Sequence, residues 1–98
     1  MFVNIIRSHR DIVAICDSEL IGKRFEEGKF QLDIKENFYK GEKMSKEEVK
    51  KIMQNLIKED ATFNIVGTEA TNTAIETGII SEKAVKKIQG IPFAMKLL

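Results

Sequence analysis

The stretch Ser45-Lys-Glu-Glu-Val-Lys-Lys-Ile-Met-Gln-Asn-Leu-Ile57 decides the fold. Ser45 and Glu48 have the spacing of a capping box, in which each side chain accepts a hydrogen bond from the other residue's backbone amide. Apolar side chains then recur at helical spacing and form a single stripe at Val49, Ile52, Met53, Leu56 and Ile57. The stretch therefore predicts an amphipathic helix over residues 45–58 that buries one face only.

The chain before this helix contains three segments with strand character. Residues 2–6 and 12–16 are rich in β-branched side chains, and the polar segment 7–11 between them has a suitable length for a hairpin loop. Residues 30–34 alternate apolar and polar side chains, which indicates a half-buried third strand. We expect an antiparallel hairpin and a third strand, followed by a loop over residues 37–42 that carries two adjacent aromatics.

The residues after the hairpin predict the start of a helix. Asp17 is a residue type that caps free backbone amides, and Glu19 in the first turn interacts favourably with the helix dipole. Two end points are open, because both Gly22 and Gly28 suit the position after a helix. The length of this element is therefore not decided by the sequence.

The part of the chain after the central helix predicts three more elements. A short apolar segment, 64–67, precedes a second helix over residues 68–77, which Thr68 is expected to cap. Gly78 follows as the residue after the helix, where glycine adopts the left-handed conformation freely. Residues 84–90 and 91–98 predict two short strands joined by Gly90-Ile91-Pro92.

Strands at both ends of the chain with helices between them predict the α+β class. The helix over 45–58 has one apolar stripe, so two layers explain the pattern better than three. We expect a two-layer sandwich, with one mixed, mainly antiparallel sheet and helices packed on one of its faces. The chain has no repeat, linker or low-complexity segment, so residues 1–98 are expected to form a single domain.

Composition narrows the compartment and the class of partner. The chain has 98 residues, 16 basic and 15 acidic, and a net charge of +1, which gives no overall field for nucleic acid or anionic lipid. No apolar run approaches the ~18–20 residues of a membrane span, and the first residues do not resemble a signal peptide. We therefore expect a cytoplasmic protein that does not associate with a membrane.

The single cysteine, Cys16, excludes a disulfide framework and suits a reducing compartment. A nucleophilic cysteine needs an activating base, and the only histidine, His9, lies in the predicted hairpin loop. One histidine and one cysteine do not make a zinc site of the usual kind, and no phosphate-binding glycine motif or nucleophile elbow is present. We therefore expect no metal and no cofactor. The sequence identifies no catalytic residue, and the lack of these motifs favours a protein that is not an enzyme.

The first functional hypothesis is a non-enzymatic binding domain associated with RNA or the ribosome. Aromatic side chains between lysines stack on unpaired bases, and basic clusters meet phosphates. The residues of this hypothesis are Arg7, His9, Arg10, Lys23, Arg24, Phe38, Tyr39 and Lys40. A third basic cluster comprises Lys83, Lys86, Lys87 and Lys96. The alternative is that the two adjacent aromatics pack into the core and that the cations are ordinary solvated side chains.

Two further hypotheses stay open. One is a site for a small molecule or an anion, or an enzyme site, built from Asn64, Gly67, Glu69, Gly90 and Pro92, because free amides at a helix N-terminus bind anions. Glu69 in the first turn argues against a strongly charged ligand. The other is a homodimer or complex subunit that pairs through an exposed strand edge, most simply the strand 94–98.

Five glycine-bounded segments occur in order along the chain, at residues 22–28, 38–42, 64–69, 74–78 and 90–92. Together they are similar to the archaeal family called domain of unknown function 424, over residues 17 to 98. The resemblance implies a small cytoplasmic α+β domain with no established activity. In that family the residue after Gly-x-Pro is commonly histidine, whereas this chain has Phe93, which favours binding or a structural role over catalysis at that position.

Overall fold

The computed structural model of the chain describes residues 1–97. Leu98, the last residue of the strand expected over 91–98, lies outside the described residues. The strands are β1 (Phe2–Ile6), β2 (Ile12–Cys16), β3 (Arg24–Glu27), β4 (Phe30–Asp33), β5 (Glu42–Lys43), β6 (Thr62–Val66), β7 (Lys86–Ile88) and β8 (Ile91–Lys96). The helices are α1 (Glu36–Tyr39), α2 (Lys46–Leu56) and α3 (Thr68–Thr77), and short 3-10 turns lie at Ser18–Leu20 and Glu82–Ala84.

Six strands form one sheet in the order β5-β1-β2-β6-β8-β7. The β2–β6 pair is parallel, and every other neighbouring pair in this sheet is antiparallel. Strands β1 and β2 form the expected hairpin, with Phe2 opposite Cys16. The prediction of an α+β fold with a mixed, mainly antiparallel sheet is therefore confirmed.

Helices α2 and α3 cover one face of this sheet and enclose the larger core. Side chains of the two central strands meet side chains of both helices in this core, including Ile15, Phe63, Met53 and Ala74. The capping box of α2 is formed, because the Glu48 amide donates to Ser45 Oγ at 3.2 Å and the Ser45 amide donates to Glu48 Oε1 at 3.1 Å. The amphipathic helix predicted from residues 45–58 is thus confirmed.

The opposite face of the sheet carries a second, smaller core. Cys16 and Val66 of the sheet pack there against Leu20, Leu32 and Tyr39, which belong to the turn after β2, to β4 and to α1. Strand β4 is the expected third strand, but it pairs with β3 in a separate two-stranded sheet. Strand β3 was not predicted, because residues 24–27 are polar apart from Phe25.

Of the two end points left open for the element that starts at Asp17, the structure has the shorter one: a single 3-10 turn forms at Ser18–Leu20, and Gly22 follows it with a φ of +79°. The longer helix to Gly28 is wrong, because residues 24–27 form β3. The loop expected over 37–42 contains the last turn of α1 and the start of β5. The helix over 68–77 is confirmed, but its N-cap is Gly67 rather than Thr68.

The last two strands form as predicted, but the turn between them lies at other residues than the predicted Gly90-Ile91-Pro92. The connection between β7 and β8 is Gln89-Gly90, and both residues have positive φ, at 50° and 78°. Consecutive positive φ values are typical of the tight turn of a two-residue hairpin. Pro92 therefore lies inside β8, opposite Lys87 of β7.

Candidate functional site

The adjacent aromatics of the RNA hypothesis lie in and beside the smaller core. The rings of Phe38 and Tyr39 meet edge to face with centroids 5.0 Å apart. Tyr39 is buried, and burial raises the pKa of its hydroxyl to about 12. The Phe38 carbonyl accepts a hydrogen bond from Asn4 Nδ2 at 2.7 Å, which fixes α1 on β1. This packing is the alternative that the sequence left open for the pair.

The cations of the β1–β2 loop are balanced by nearby acids. Arg7 pairs with Asp11 at 2.5 Å, and Arg10 pairs with Asp60 at 3.1 Å. His9 is exposed in the same loop. The loop therefore carries charges of both signs and does not form a concentrated basic patch.

The other cations of that hypothesis lie elsewhere. Lys23 and Arg24 follow the C-terminal end of β2, whereas the β1–β2 loop precedes its N-terminal end. Arg24 pairs with Glu26 at 2.8 Å, and Lys40 pairs with Glu36 at 3.0 Å. The structure does not bring the eight residues of the RNA hypothesis together on one surface.

Three residues of the alternative ligand hypothesis do meet at the start of α3. The Gly67 amide donates a hydrogen bond to the Pro92 carbonyl at 2.8 Å, and Gly90 lies in the adjoining turn. Asn64 does not join these three residues. Its neighbours Phe63 and Ile65 face the helices, and because strand side chains alternate, Asn64 faces the opposite side of the sheet. Glu69 is exposed on the first turn of α3.

The carboxylate of Asp17 occupies the amides at the start of α3. Asp17 Oδ2 accepts from the Glu69 amide at 3.0 Å, and Oδ1 accepts from the Ala70 amide at 2.8 Å. The side chain is 3% exposed, and burial raises its pKa although the two amide hydrogen bonds act in the opposite direction. An anionic ligand would have to compete with this carboxylate, so the helix N-terminus does not offer a free anion site.

A cleft of about 260 Å³ lies beside this point, between α3 and the β7–β8 hairpin. Its apolar surface comes from Ile75, Val85 and Pro92, and its polar groups come from Thr68, Asn72, Glu82 and Lys87. Within residues 1–97, neither Glu82 nor Lys87 forms an ion pair. The cleft thus presents one anionic and one cationic side chain, both available to a ligand, beside an apolar surface. We call it the α3 cleft.

Sequence reasoning identified part of the α3 cleft. Gly90 and Pro92 were in the ligand hypothesis, whereas Asn72 and Glu82 were missed. Thr68, Asn72 and Ile75 share one face of α3 at spacings of i, i+4 and i+7, and this pattern was available in the sequence. The position of Glu82 could not be predicted, because only the fold brings the 3-10 turn Glu82–Ala84 to the cleft beside α3.

Cys16 does not have the environment of a nucleophile. The thiol is fully buried at the end of β2, and burial raises its pKa to about 11. A thiol with such a pKa stays protonated near neutral pH, and only the thiolate is reactive. Within the part of the chain that the structure describes, no group of three or more His, Cys, Asp or Glu side chains could hold a metal ion. None of the helices formed by residues 1–97 has the length and apolarity to cross a membrane.

The fold and the cleft define a small α+β protein in which two helices cover one face of a six-stranded mixed sheet and a β-hairpin covers part of the other. The model of a family described as a protein of unknown function, DUF424, matches residues 6–97, and the chain belongs to this family. The resemblance seen in the sequence is therefore confirmed.

Comparison with solved structures gives the same fold. An uncharacterized conserved protein from Methanopyrus kandleri superimposes with a TM-score of 0.83 at 23% sequence identity, over 96% of this chain and 87% of that one. This likeness shows that the fold is shared. No curated protein matches the chain.

Proposed function

We propose that the chain is a non-enzymatic binding domain for a small zwitterionic metabolite, held in the α3 cleft. The observation that carries the proposal is that Glu82 and Lys87 line one cleft of about 260 Å³. Within residues 1–97, neither side chain forms an ion pair. Ligand sites combine an apolar surface with a few convergent polar groups, and the α3 cleft has this composition.

The charges of the cleft indicate the class of ligand. A molecule that carries an ammonium and a carboxylate group would place the first near Glu82 and the second near Lys87. A simple anion or a simple cation would leave one of these side chains without a partner, which lowers the gain from binding. The volume is slightly below the roughly 300–1,000 Å³ of common ligand pockets, so the ligand is small.

Two features favour this ligand over a phosphate compound. The amides of Glu69 and Ala70 already donate to Asp17, so the helix end has fewer free donors for phosphate. Glu82 lines the cleft itself and would repel a strongly anionic group. Within residues 1–97, neither cysteine nor histidine lines the cleft. We therefore propose ligand binding rather than catalysis.

A thermal-shift screen with amino acids and related zwitterionic metabolites tests the proposal. A ligand of the native state raises the melting temperature, and at a hundredfold excess over Kd the stabilisation is about 2.7 kcal/mol. Glu82→Gln should abolish the shift, because it removes the charge that faces the ammonium group. Glu59→Gln is the matched control, since Glu59 is exposed and lies outside the cleft.

The proposal fails if no zwitterion raises the melting temperature of the wild type. It also fails if Glu82→Gln responds as strongly as Glu59→Gln. We propose the cytoplasm as the compartment of this domain, because a free buried thiol such as Cys16 suits reducing conditions.

A further inference from the structure

We propose that a second surface, separate from the α3 cleft, binds single-stranded nucleic acid. It lies where the β3–β4 hairpin approaches β7 and β8, on the sheet face opposite α2 and α3. We call it the aromatic surface, and its residues are Phe30, Phe93, Met95, Lys29 and Lys86. None of the three apolar residues was in the RNA hypothesis drawn from the sequence.

The apolar side chains of this surface are unusually accessible. Phe30 is 71% exposed and Met95 is 60% exposed, although both are large. Phe30 and the half-buried Phe93 line the same cleft of about 200 Å³. Met95 points to the same face of β8 as Phe93, because side chains two residues apart in a strand share a face. A ring as exposed as that of Phe30 contributes little to the core, which leaves it free to contact a partner.

The charges beside these rings indicate an anionic partner. Lys86 lies directly opposite Phe93, and Lys29 directly precedes Phe30 in the chain. The side chain of Lys87 alternates with that of Lys86 and faces the α3 cleft instead. Within residues 1–97, neither Lys29 nor Lys86 forms an ion pair. The one acid of the cleft, Glu27, accepts a hydrogen bond from the Gln89 amide at 2.9 Å. Glu27 keeps its negative charge, but the two lysines outnumber it, so the surface is net positive.

The geometry of this surface is fixed before any partner arrives. Besides its backbone bond to Glu27, Gln89 donates from Nε2 to the carbonyl of Glu26. These two hydrogen bonds join the β3–β4 hairpin to the turn of the β7–β8 hairpin. Phe30 is consequently held on the same cleft as Phe93, and this surface loses less conformational entropy on binding a partner than a mobile loop would.

Single-stranded nucleic acid fits this surface better than an acidic peptide. Every unpaired base has a flat face that stacks on an aromatic side chain, and lysines beside the ring meet the phosphates. A duplex hides its base faces, so it cannot use Phe30. A peptide that added to the sheet would pair with β7, which has only three residues, and short edges give few main-chain hydrogen bonds.

Fluorescence anisotropy with labelled oligouridine RNA and oligothymidine DNA tests the inference on the full chain. We expect salt-dependent binding, with a slope of log affinity against log salt of about −1.4, because two lysines each contribute about −0.7 on a single strand. Phe30→Ala should weaken binding at least about fivefold through lost base stacking, whereas Phe30→Tyr should retain it. Lys86→Gln should lower the slope, and Lys58→Gln, in the exposed turn after α2, is its control.

Three results would overturn the inference: no binding at low salt, equal affinity for duplex DNA or an acidic peptide, or unchanged binding by Phe30→Ala. Because Phe30 is largely exposed, this variant should keep the melting temperature of the wild type, which the same samples report. Glu82→Gln should bind the oligonucleotides normally. Its behaviour therefore separates failure of the aromatic surface from failure of the α3 cleft.

Discussion

Asp17 follows β2, and its side chain connects the end of this strand to the helix that follows the neighbouring strand β6. The parallel register of β2 and β6 sets Cys16 beside Val66, and so brings Asp17 next to Gly67. The Asp17 carboxylate then caps α3, a helix that begins more than fifty residues later in the chain. Sequence reasoning recognised Asp17 as a capping residue but assigned it to its own segment, because the helix it caps is defined only by strand pairing.

Removing this carboxylate should destabilise the protein. In Asp17→Ala the amides of Glu69 and Ala70 lose their acceptor at a buried site, and we expect the free energy of unfolding to fall by about 1–3 kcal/mol. Asp17→Asn keeps one carbonyl acceptor and should lose less. Urea unfolding at neutral pH measures both variants, and equal stability of Asp17→Ala and the wild type would contradict the assigned role.

The same position has a defined pH dependence. Burial raises the pKa of Asp17 above its ordinary value of 3.8, so the folded state binds a proton more tightly than the unfolded state. The contribution of Asp17 is therefore largest below pH 3.8 and falls as the pH rises through the raised pKa. Compared with Asp17→Ala, the wild type should lose stability across this window, whereas Asp17→Asn should not. A stability difference that grows with pH would show that the pKa is lowered instead.

Gly67 is the second residue on which this junction depends. Its φ of +110° is rare for residues with a side chain, and a Cβ atom would overlap the Asp17 carboxylate. We expect Gly67→Ala to lower the free energy of unfolding by about 3 kcal/mol or more, from backbone strain and displacement of the cap.

Gly78→Ala provides the matched control for this substitution. Gly78 follows the other end of α3 with a φ of +83°, and nothing lies within 4 Å of its Cβ position. It should therefore show only the strain of a positive φ, which is smaller. Similar losses for the two variants, measured by urea unfolding, would mean that the contact with Asp17 is unimportant.

Among the secondary-structure elements, those with a clear local sequence pattern were predicted correctly. The capping box and apolar stripe predicted α2, and the two β-branched runs predicted the β1–β2 hairpin. Strand β3 has three exposed polar residues of four, so it exists because β4 pairs with it rather than because of its own composition. The contact of Phe25 with the smaller core was hidden from the sequence for this reason.

The cap of α2 gives a direct test at this scale. Ser45 Oγ accepts from the Glu48 amide, and Ser45→Ala should lower the free energy of unfolding by about 1 kcal/mol. Ser81→Ala is the comparison, because Ser81 precedes the 3-10 turn Glu82–Ala84 without a side-chain cap bond. The loss should appear in Ser45→Ala alone when both are unfolded in urea.

At the scale of the whole molecule, strand order could not be predicted, because it is set by pairing between distant residues. Alternation shows which face of a strand is buried but not which strand lies beside it. The parallel pairing of β2 with β6 requires a crossover that carries β3, β4, α1, β5 and α2. The same order brings Pro92 beside Gly67 and so builds the α3 cleft from two segments that the sequence could name but not join.

Strand order also bears on the homodimer hypothesis, which placed the exposed edge at residues 94–98. Strand β8 instead lies inside the sheet, with β6 on one side and β7 on the other. The outer strands are β5, with two residues, and β7, with three residues that include Lys86 and Lys87. Short edges and lysines on an edge both oppose pairing between sheets.

We therefore expect the free protein to be a monomer of 11.2 kDa. Light scattering at several concentrations measures the mass directly, and it should stay constant from micromolar to near-millimolar protein. A mass that doubles with concentration would contradict this expectation. Lys86→Gln would then locate the interface, since neutralising a lysine on the β7 edge should strengthen a dimer that pairs through β7 and leave any other dimer unchanged.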